Sequence, residues 1–234
     1  MISVLLAAYR GERFIAEQIA SILPQLKPGD ELLISNDSPV GDNATYEAIN
    51  TALPPNDDPY YDDINAEYFL GPQQGVIKNV EFLLTQARGD ILVLCDQDDV
   101  WLPGKLGLAR AMDGILLLHD AKLTDENLRV TEESFFRARR AKPGFLRNLL
   151  KNGYTGCCMA FRRELLPHIL PFPQGIPMHD QWIGLQAERH GRVQWAAGPY
   201  ILHRRHESAQ TRRDGTLRQK IAWRLRLLRA LRRH

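Results

Sequence analysis

Long hydrophobic runs are missing from this chain of 234 residues. A bilayer-spanning helix needs about 20 consecutive apolar residues, so none is expected here. The N-terminus, "MISVLLAAYRGE", has no basic region ahead of its short apolar run, which argues against a secretory signal. Cysteine is scarce: Cys95, Cys157 and Cys158. These show no metal-ligand spacing, and two adjacent cysteines pair poorly with each other. They read as small buried residues of a cytoplasmic, reducing compartment. Net charge is only +2, so no global field points to nucleic acid. No glycine- and lysine-rich loop follows the first apolar run. The stretch there is "AAYRGERF", which counts against a nucleotidyltransferase. Repeats and low-complexity segments are absent as well.

What is present is an alternation of strand and helix patterns. Ile2 to Ala8 and "ELLIS" (Glu31 to Ser35) are short apolar runs suited to buried strands. Between them Phe14, Ile15, Ile19 and Ile22 recur at helical spacing. Ala44 to Ala52 reads as a helix, "LPPNDDPYYDD" as a surface loop, and Asn65 to Leu70 as a third strand. Val76 to Ala87 is helical, with Val76, Val80, Leu83 and Leu84 on one face, and Asp90 to Leu94 is a fourth strand. This order predicts an α/β fold with a mostly parallel central sheet flanked by helices.

Ligands of such sheets bind beyond the C-terminal ends of the strands. Two acidic turns fall on that edge, "NDSP" after the second strand and "DQDD" after the fourth. A helix cap accounts for one aspartate. Three carboxylates in four residues repel unless a cation compensates them. Asp96 and Asp98 can share one hard divalent ion whose other positions take phosphate oxygens and water. The plain structural alternative for "NDSP" is an Asx turn.

Several stretches together resemble a known family. These are "MISVLLAAYRGERFIAEQIASIL", "LLISNDSPVGD", "GPQQGVIKNVEFLL" with "GDILVLCDQDDVWLPGKL", "GYTGCCMAFRRELL", "HDQWI" and "HRRHESAQT". In this order they resemble the family 2 glycosyltransferases of GT-A (Rossmann-like) fold, close to the bacterial rhamnosyltransferase-like branch. The resemblance covers roughly residues 1 to 210 and bounds a transferase domain at 1–211. It implies an inverting, metal-dependent transfer of a sugar from a nucleotide-diphosphate donor to a glycan or lipid-linked acceptor hydroxyl, in cell-surface polysaccharide synthesis. It assigns Mg²⁺ or Mn²⁺ to Asp98 and His206, the donor to Ala8, Asn36, Asp37, Asp96 and Arg204, and the catalytic base to Asp180. Asp120, after the next strand in "LLLHDA", with His179 and Trp182, marks the acceptor side. Asn79 and Lys105 match the family pattern without suggesting chemistry. Asn36 stands where the family carries aspartate, and His203 where it carries tyrosine. These departures leave a second class open, a nucleotide-sugar-binding or scaffold protein with a degenerate site.

Residues 212–234, "RRDGTLRQKIAWRLRLLRALRRH", form a basic amphipathic C-terminal helix. Leu217, Ile221, Leu225 and Leu228 recur at helical spacing, and Trp223, Leu227 and Leu231 widen the apolar side. Arginines fill the rest, with Asp214 the single acidic residue. That composition suits a helix lying on an anionic membrane surface, at the inner face of the cell membrane. The alternatives are packing on the catalytic domain or on a second copy. A nucleic-acid arm is disfavoured by the shortage of stacking aromatics.

Overall fold

The computed structural model describes residues 1–54, 65–206 and 216–233. Most of the expected "LPPNDDPYYDD" loop, and "HRRHESAQT" beyond His206, lie outside the described residues. The first half alternates as the sequence pattern predicts: β1 (Ile2–Ala8), α1 (Ile15–Ile22), β2 (Glu31–Asn36), α2 (Ala44–Ala52), β3 (Asn65–Leu70), α3 (Val76–Gln86) and β4 (Ile91–Asp96). Then come β5 (Val100–Trp101), α4 (Lys105–Arg110), β6 (Leu116–Thr124), β7 (Val130–Glu132), α5 (Phe135–Arg139) and α6 (Phe145–Leu150). The chain continues through β8 (Met159–Arg162), α7 (Leu166–Ile169), α8 (His179–His190), β9 (Val193–Arg204) and α9 (Leu217–Arg233).

One sheet runs in the order β3-β2-β1-β4-β8-β6-β9-β5, with β7 paired to β6. Strands β1 to β4 are parallel neighbours. β8 is antiparallel to both β4 and β6, and β6 is parallel to β9. β6 and β9 therefore point the same way as β1 to β4. Their C-terminal ends share one edge with the turn that leads into β8. β1 and β2 are buried almost throughout because helices cover both faces, which is why they read as continuous apolar runs.

The opposite edge is stapled by buried carboxylates. Glu31 accepts from Ser3 Oγ at 2.5 Å and from Arg88 N at 2.7 Å. Asp30 accepts from Ile2 N and Lys27 N, each at 2.9 Å. Buried charge is tolerated there because every oxygen has donors.

The cap alternative for "DQDD" drops out: Asp96 closes β4, residues 97–99 form the turn to β5, and α4 begins only after Gly104. One local expectation changes. Asp120 does not follow its strand, because β6 continues through it to Thr124.

Helix α9 packs on protein along one side. Leu227, Ala230 and Leu231 are buried. Arg189 Nη1 on α8 donates to Leu231 O at 2.8 Å, and Arg224 Nη2 donates to Leu150 O at 2.6 Å. Ile221 and Leu225 stay exposed. Leu227→Ala should lower stability by about 2–5 kcal/mol, the range for a buried leucine truncation. Denaturant unfolding checks this, with Leu225→Ala as the near-neutral control.

Candidate active site

The site is built where the ends of β4 and β9 meet. β5 pairs antiparallel with β9, Val100 opposite Leu202, and this lays the end of β9 against the turn at residues 97–99. Asp99 Oδ1 accepts from Arg204 N at 3.1 Å and lies 2.9 Å from His203 Nδ1. Asp98 Oδ2 lies 2.7 Å from His206 Nε2. Burial disfavours the charged form of Asp99, but the His203 imidazolium and the hydrogen bonds outweigh it and hold the pKa below its ordinary value. His203 is raised well above its ordinary value: burial opposes its charge and Asp99 overcomes that. Asp96 is pushed well up by burial, then by the negative charges of Cys157, Asp99 and Asp98.

Gln97 clasps the end of β1, accepting from Tyr9 N at 2.7 Å and donating to Tyr9 O at 2.9 Å. Gly11 must be glycine for this, because a Cβ there would stand 2.2 Å from Gln97 Oε1. Arg204 turns its fork onto the protein. Its Nε donates to Asp98 O at 2.8 Å, its Nη1 to Glu126 O at 2.6 Å and its Nη2 to the Glu17 carboxylate. The guanidinium lies 4.4 Å from the Phe14 ring centre. Arg204 thus fixes the backbone of the acidic turn.

The ends of β1 and β2 form the neighbouring wall. Ala8 O accepts from Asp37 N at 2.8 Å. Asn36 Oδ1 accepts from Ser38 N at 3.1 Å, an Asx turn, and Asn36 Nδ2 donates to Tyr68 Oη at 3.3 Å. The Asp37 carboxylate receives Gln73 N and Gly75 N, the latter at 2.8 Å, and so holds the loop before α3. A Cβ on Gly71 would stand 2.7 Å from Asp37 Oδ1. Asn79 joins β2 to α3, donating to Ser35 O at 2.9 Å and accepting from Ser35 Oγ at 2.6 Å.

The third wall comes from α8 and the turn before β8. Asp180 is buried in the first turn of α8. Its Oδ1 accepts from Gln181 N at 2.5 Å and from Asn152 Nδ2 at 3.2 Å. Its pKa rises to about 7, chiefly through burial, against those hydrogen bonds, with the Cys157 charge adding to the rise. His179 is buried and lowered to about 4 by burial, so it stays neutral near pH 7. Trp182 is wholly buried and donates from Nε1 to Ile169 O at 3.0 Å. Asp120 holds the start of α5: its Oδ1 accepts from Phe136 N at 2.9 Å, and its Oδ2 from Ser134 Oγ.

Cys157 is the residue these walls share. Its Sγ lies 3.6 Å from His203 Nδ1, and its charge acts on both Asp96 and Asp180. A hydrogen bond from Cys158 draws its pKa down to about 6, burial and Asp99 oppose this, and His203 assists. Lys105, also buried, donates from Nζ to Cys157 O and lies 4.3 Å from the Trp101 ring centre. Gln97, Asp99, Cys157 and His203 escaped the sequence reading as site residues. The third carboxylate of "DQDD" was the available signal for Asp99 and the departure from tyrosine the signal for His203, whereas Cys157 gave none, because its partners are distant in sequence.

The donor set of Asp98 and His206 suits a divalent ion. Neighbouring ligands of an octahedral ion at 2.0–2.1 Å stand about 3 Å apart, within a few tenths of an ångström of the separation seen here.

Comparison with other proteins agrees. Residues 3–170 match the sequence model of glycosyl transferase family 2. An uncharacterized glycosyltransferase of Nostoc sp. (strain PCC 7120 / SAG 25.82 / UTEX 2576) is 25% identical over 179 residues, 73% of this chain and 53% of the relative. The chain therefore spans about half the length of that curated relative. Residues 1–349 of TarS from S. aureus, in complex with UDP-GlcNAc, superpose with a TM-score of 0.66 at 18% identity, covering 98% of this chain and 72% of that one. The mannosyltransferase PcManGT from Pyrobaculum calidifontis, in complex with GDP-Man and Mn²⁺, gives 0.62 at 19% identity, covering 98% and 61%. These likenesses place the curled, mostly parallel sheet in the GT-A class. By its matching residues and by its fold, this chain belongs to glycosyl transferase family 2.

Proposed function

We propose that the protein is an inverting glycosyltransferase that moves a hexose from a nucleotide-diphosphate donor to a hydroxyl of a glycan or lipid-linked acceptor, in cell-surface polysaccharide synthesis. Rhamnose is the sugar of the branch its motifs resemble. The observation that carries this reading is the pairing of Asp98 with His206 at the sheet edge, 2.7 Å apart, together with a buried Asp180 of pKa about 7 that feels the charge of Cys157, the neighbour of His203. Asp98 and His206 would hold Mg²⁺ or Mn²⁺, which when bound stabilises the charge that develops on the leaving diphosphate. Asp96 supports the donor beside them. Ala8, Asn36 and Asp37 shape the nucleotide wall, Asp37 by fixing the loop at residues 71–75. Arg204 acts by holding the metal-binding turn in place.

Asp180 takes the proton of the acceptor hydroxyl. Its raised pKa keeps it basic enough for that task near neutrality. Burial in the first turn of α8 keeps it so; His179, neutral and buried, and Trp182, anchored to Ile169 O, hold α8 on the acceptor side, where Asp120 positions α5.

Asn36 in place of aspartate, with the Arg204 fork turned inward, favours a second reading: donor binding without turnover. Incubation with a panel of nucleotide sugars and Mn²⁺ separates the two. Slow hydrolysis is expected, and tight binding without it would support the second reading.

A lipid-linked acceptor agrees with the outer face of α9. Exposed Ile221 and Leu225 lie on the helix whose Arg224 donates to Leu150 O, and Leu146 and Leu150 on α6 are also exposed. Exposed Arg147, Lys151, Arg218 and Arg229 lie near them along α6 and α9. No helix among the described residues is long and apolar enough to cross a membrane. Docking onto an anionic surface is therefore interfacial.

Asp98→Ala should abolish the metal-dependent part of nucleotide-diphosphate affinity while circular dichroism stays unchanged, as calorimetry with and without Mn²⁺ would show. Asp180→Asn should lower turnover by about 10²–10⁴-fold with donor affinity little altered. The base works only when ionised, so kcat/KM should rise with pH through about 7 in the wild type and lose that limb in Asp180→Asn. Flotation with anionic vesicles should weaken as salt rises and fall further in Leu225→Glu. Equal flotation of the two chains would assign α9 to protein packing alone.

A further inference from the structure

One buried cluster has no task in sugar transfer. Asp99, Cys157 and His203 each offer one ligand atom, and these atoms lie within 4.8 Å of one another. Asp99 is fully buried, yet its Oδ2 has no hydrogen-bond partner among the described residues. An unpartnered buried carboxylate oxygen is costly unless something positive meets it.

We propose that Asp99, Cys157 and His203 form a second cation site, selective for a thiophilic divalent ion of the zinc class and distinct from the Asp98–His206 pair. A tetrahedral zinc ion with bonds of about 2.3 Å to sulfur and about 2.0 Å to nitrogen sets those two atoms about 3.6 Å apart. Cys157 Sγ and His203 Nδ1 are 3.6 Å apart. The Asp99 carboxylate is in reach of the same ion: its Oδ1 lies 2.9 Å from His203 Nδ1, and its Oδ2 is the oxygen left without a partner among the described residues. Binding requires the thiolate and the neutral imidazole, so it displaces any proton these groups carry, and it transfers no electrons. The His203 side chain is 22% exposed, which gives the ion an entry from the cleft. With three protein ligands, the fourth position goes to water. Mg²⁺ prefers oxygen ligands, so thiolate sulfur separates the two sites chemically. An ion here ties the end of β9 and the turn before β8 to the acidic turn, and so fixes the stretch that leads into His206.

Cobalt(II) titrated into the full chain, with Mg²⁺ in excess, tests this. A thiolate-to-cobalt charge-transfer band should appear in the near ultraviolet. It should vanish in Cys157→Ser, weaken in His203→Ala, and persist in Cys158→Ser and in Asp98→Ala. Loss of metal-dependent nucleotide binding in Asp98→Ala concerns the other site and leaves the band in place. No band in the wild type, or a band that survives Cys157→Ser, overturns the proposal. If Cys157→Ser does not fold, X-ray absorption of the zinc-loaded wild-type chain decides. One sulfur among nitrogen and oxygen ligands supports the site, and a sulfur-free set overturns it.

Discussion

Three carboxylates confined to one tight turn repel one another, and much of this site exists to answer that repulsion. The answer comes from β9. Backbone pairing between β5 and β9 delivers His203 to Asp99 and His206 to Asp98, and the Arg204 guanidinium locks the turn through the carbonyl of Asp98. The Asp96 pKa moves up, chiefly through burial and then through the charges of Cys157, Asp99 and Asp98, with His203 opposing. Opposing charge on a separate strand makes the turn's geometry depend on the sheet as a whole. Folding and assembly of the site are therefore one event, not two.

Around that centre the side chains divide into those that can meet a ligand and those that hold others. Asp98, His206 and Asp180 carry the proposed metal and base roles, Asp98 with His206 as its partner and Asp180 held by Gln181 N and Asn152 Nδ2. Asp37 and Gln97 spend their hydrogen bonds on backbone, and Asn79 and Arg204 divide theirs between backbone and the side chains of Ser35 and Glu17. Such support costs nothing at the moment of reaction, because the order is already present in the folded chain. It also explains why Gly11 and Gly71 are tight spots: each leaves room for a carboxamide or carboxylate that a Cβ would displace.

The first half of the fold was legible because its signals are local. Apolar runs of strand length, helical spacing and Gly, Pro or Asp punctuation marked β1, α2 and β3 almost to the residue. β5 and β7, at two and three residues, are too short to carry a period, and the turn before β8 has none. In the site, clustered carboxylates were visible as a local anomaly. The commitment of Arg204 to Glu17, 187 positions away, was not, and neither was the meeting of Cys157 with His203, 46 positions apart. Cysteine spacing along a chain reports only ligands that share a loop. A cluster assembled from three separate strand ends leaves no such trace.

The reversed strand β8 has a consequence for how such a protein can change. Because it runs against β4 and β6, its beginning rather than its end lies at the reactive edge, and residues 125–158 reach that edge from the opposite side to β1, β2 and β4. The walls proposed for donor and acceptor are thus anchored on different stretches of chain. Insertions or replacements between β6 and β8 can remodel one wall while the hydrogen-bond register of β1, β2 and β4 stays intact. On the proposed function, such a change would admit a new acceptor without altering the wall assigned to the nucleotide.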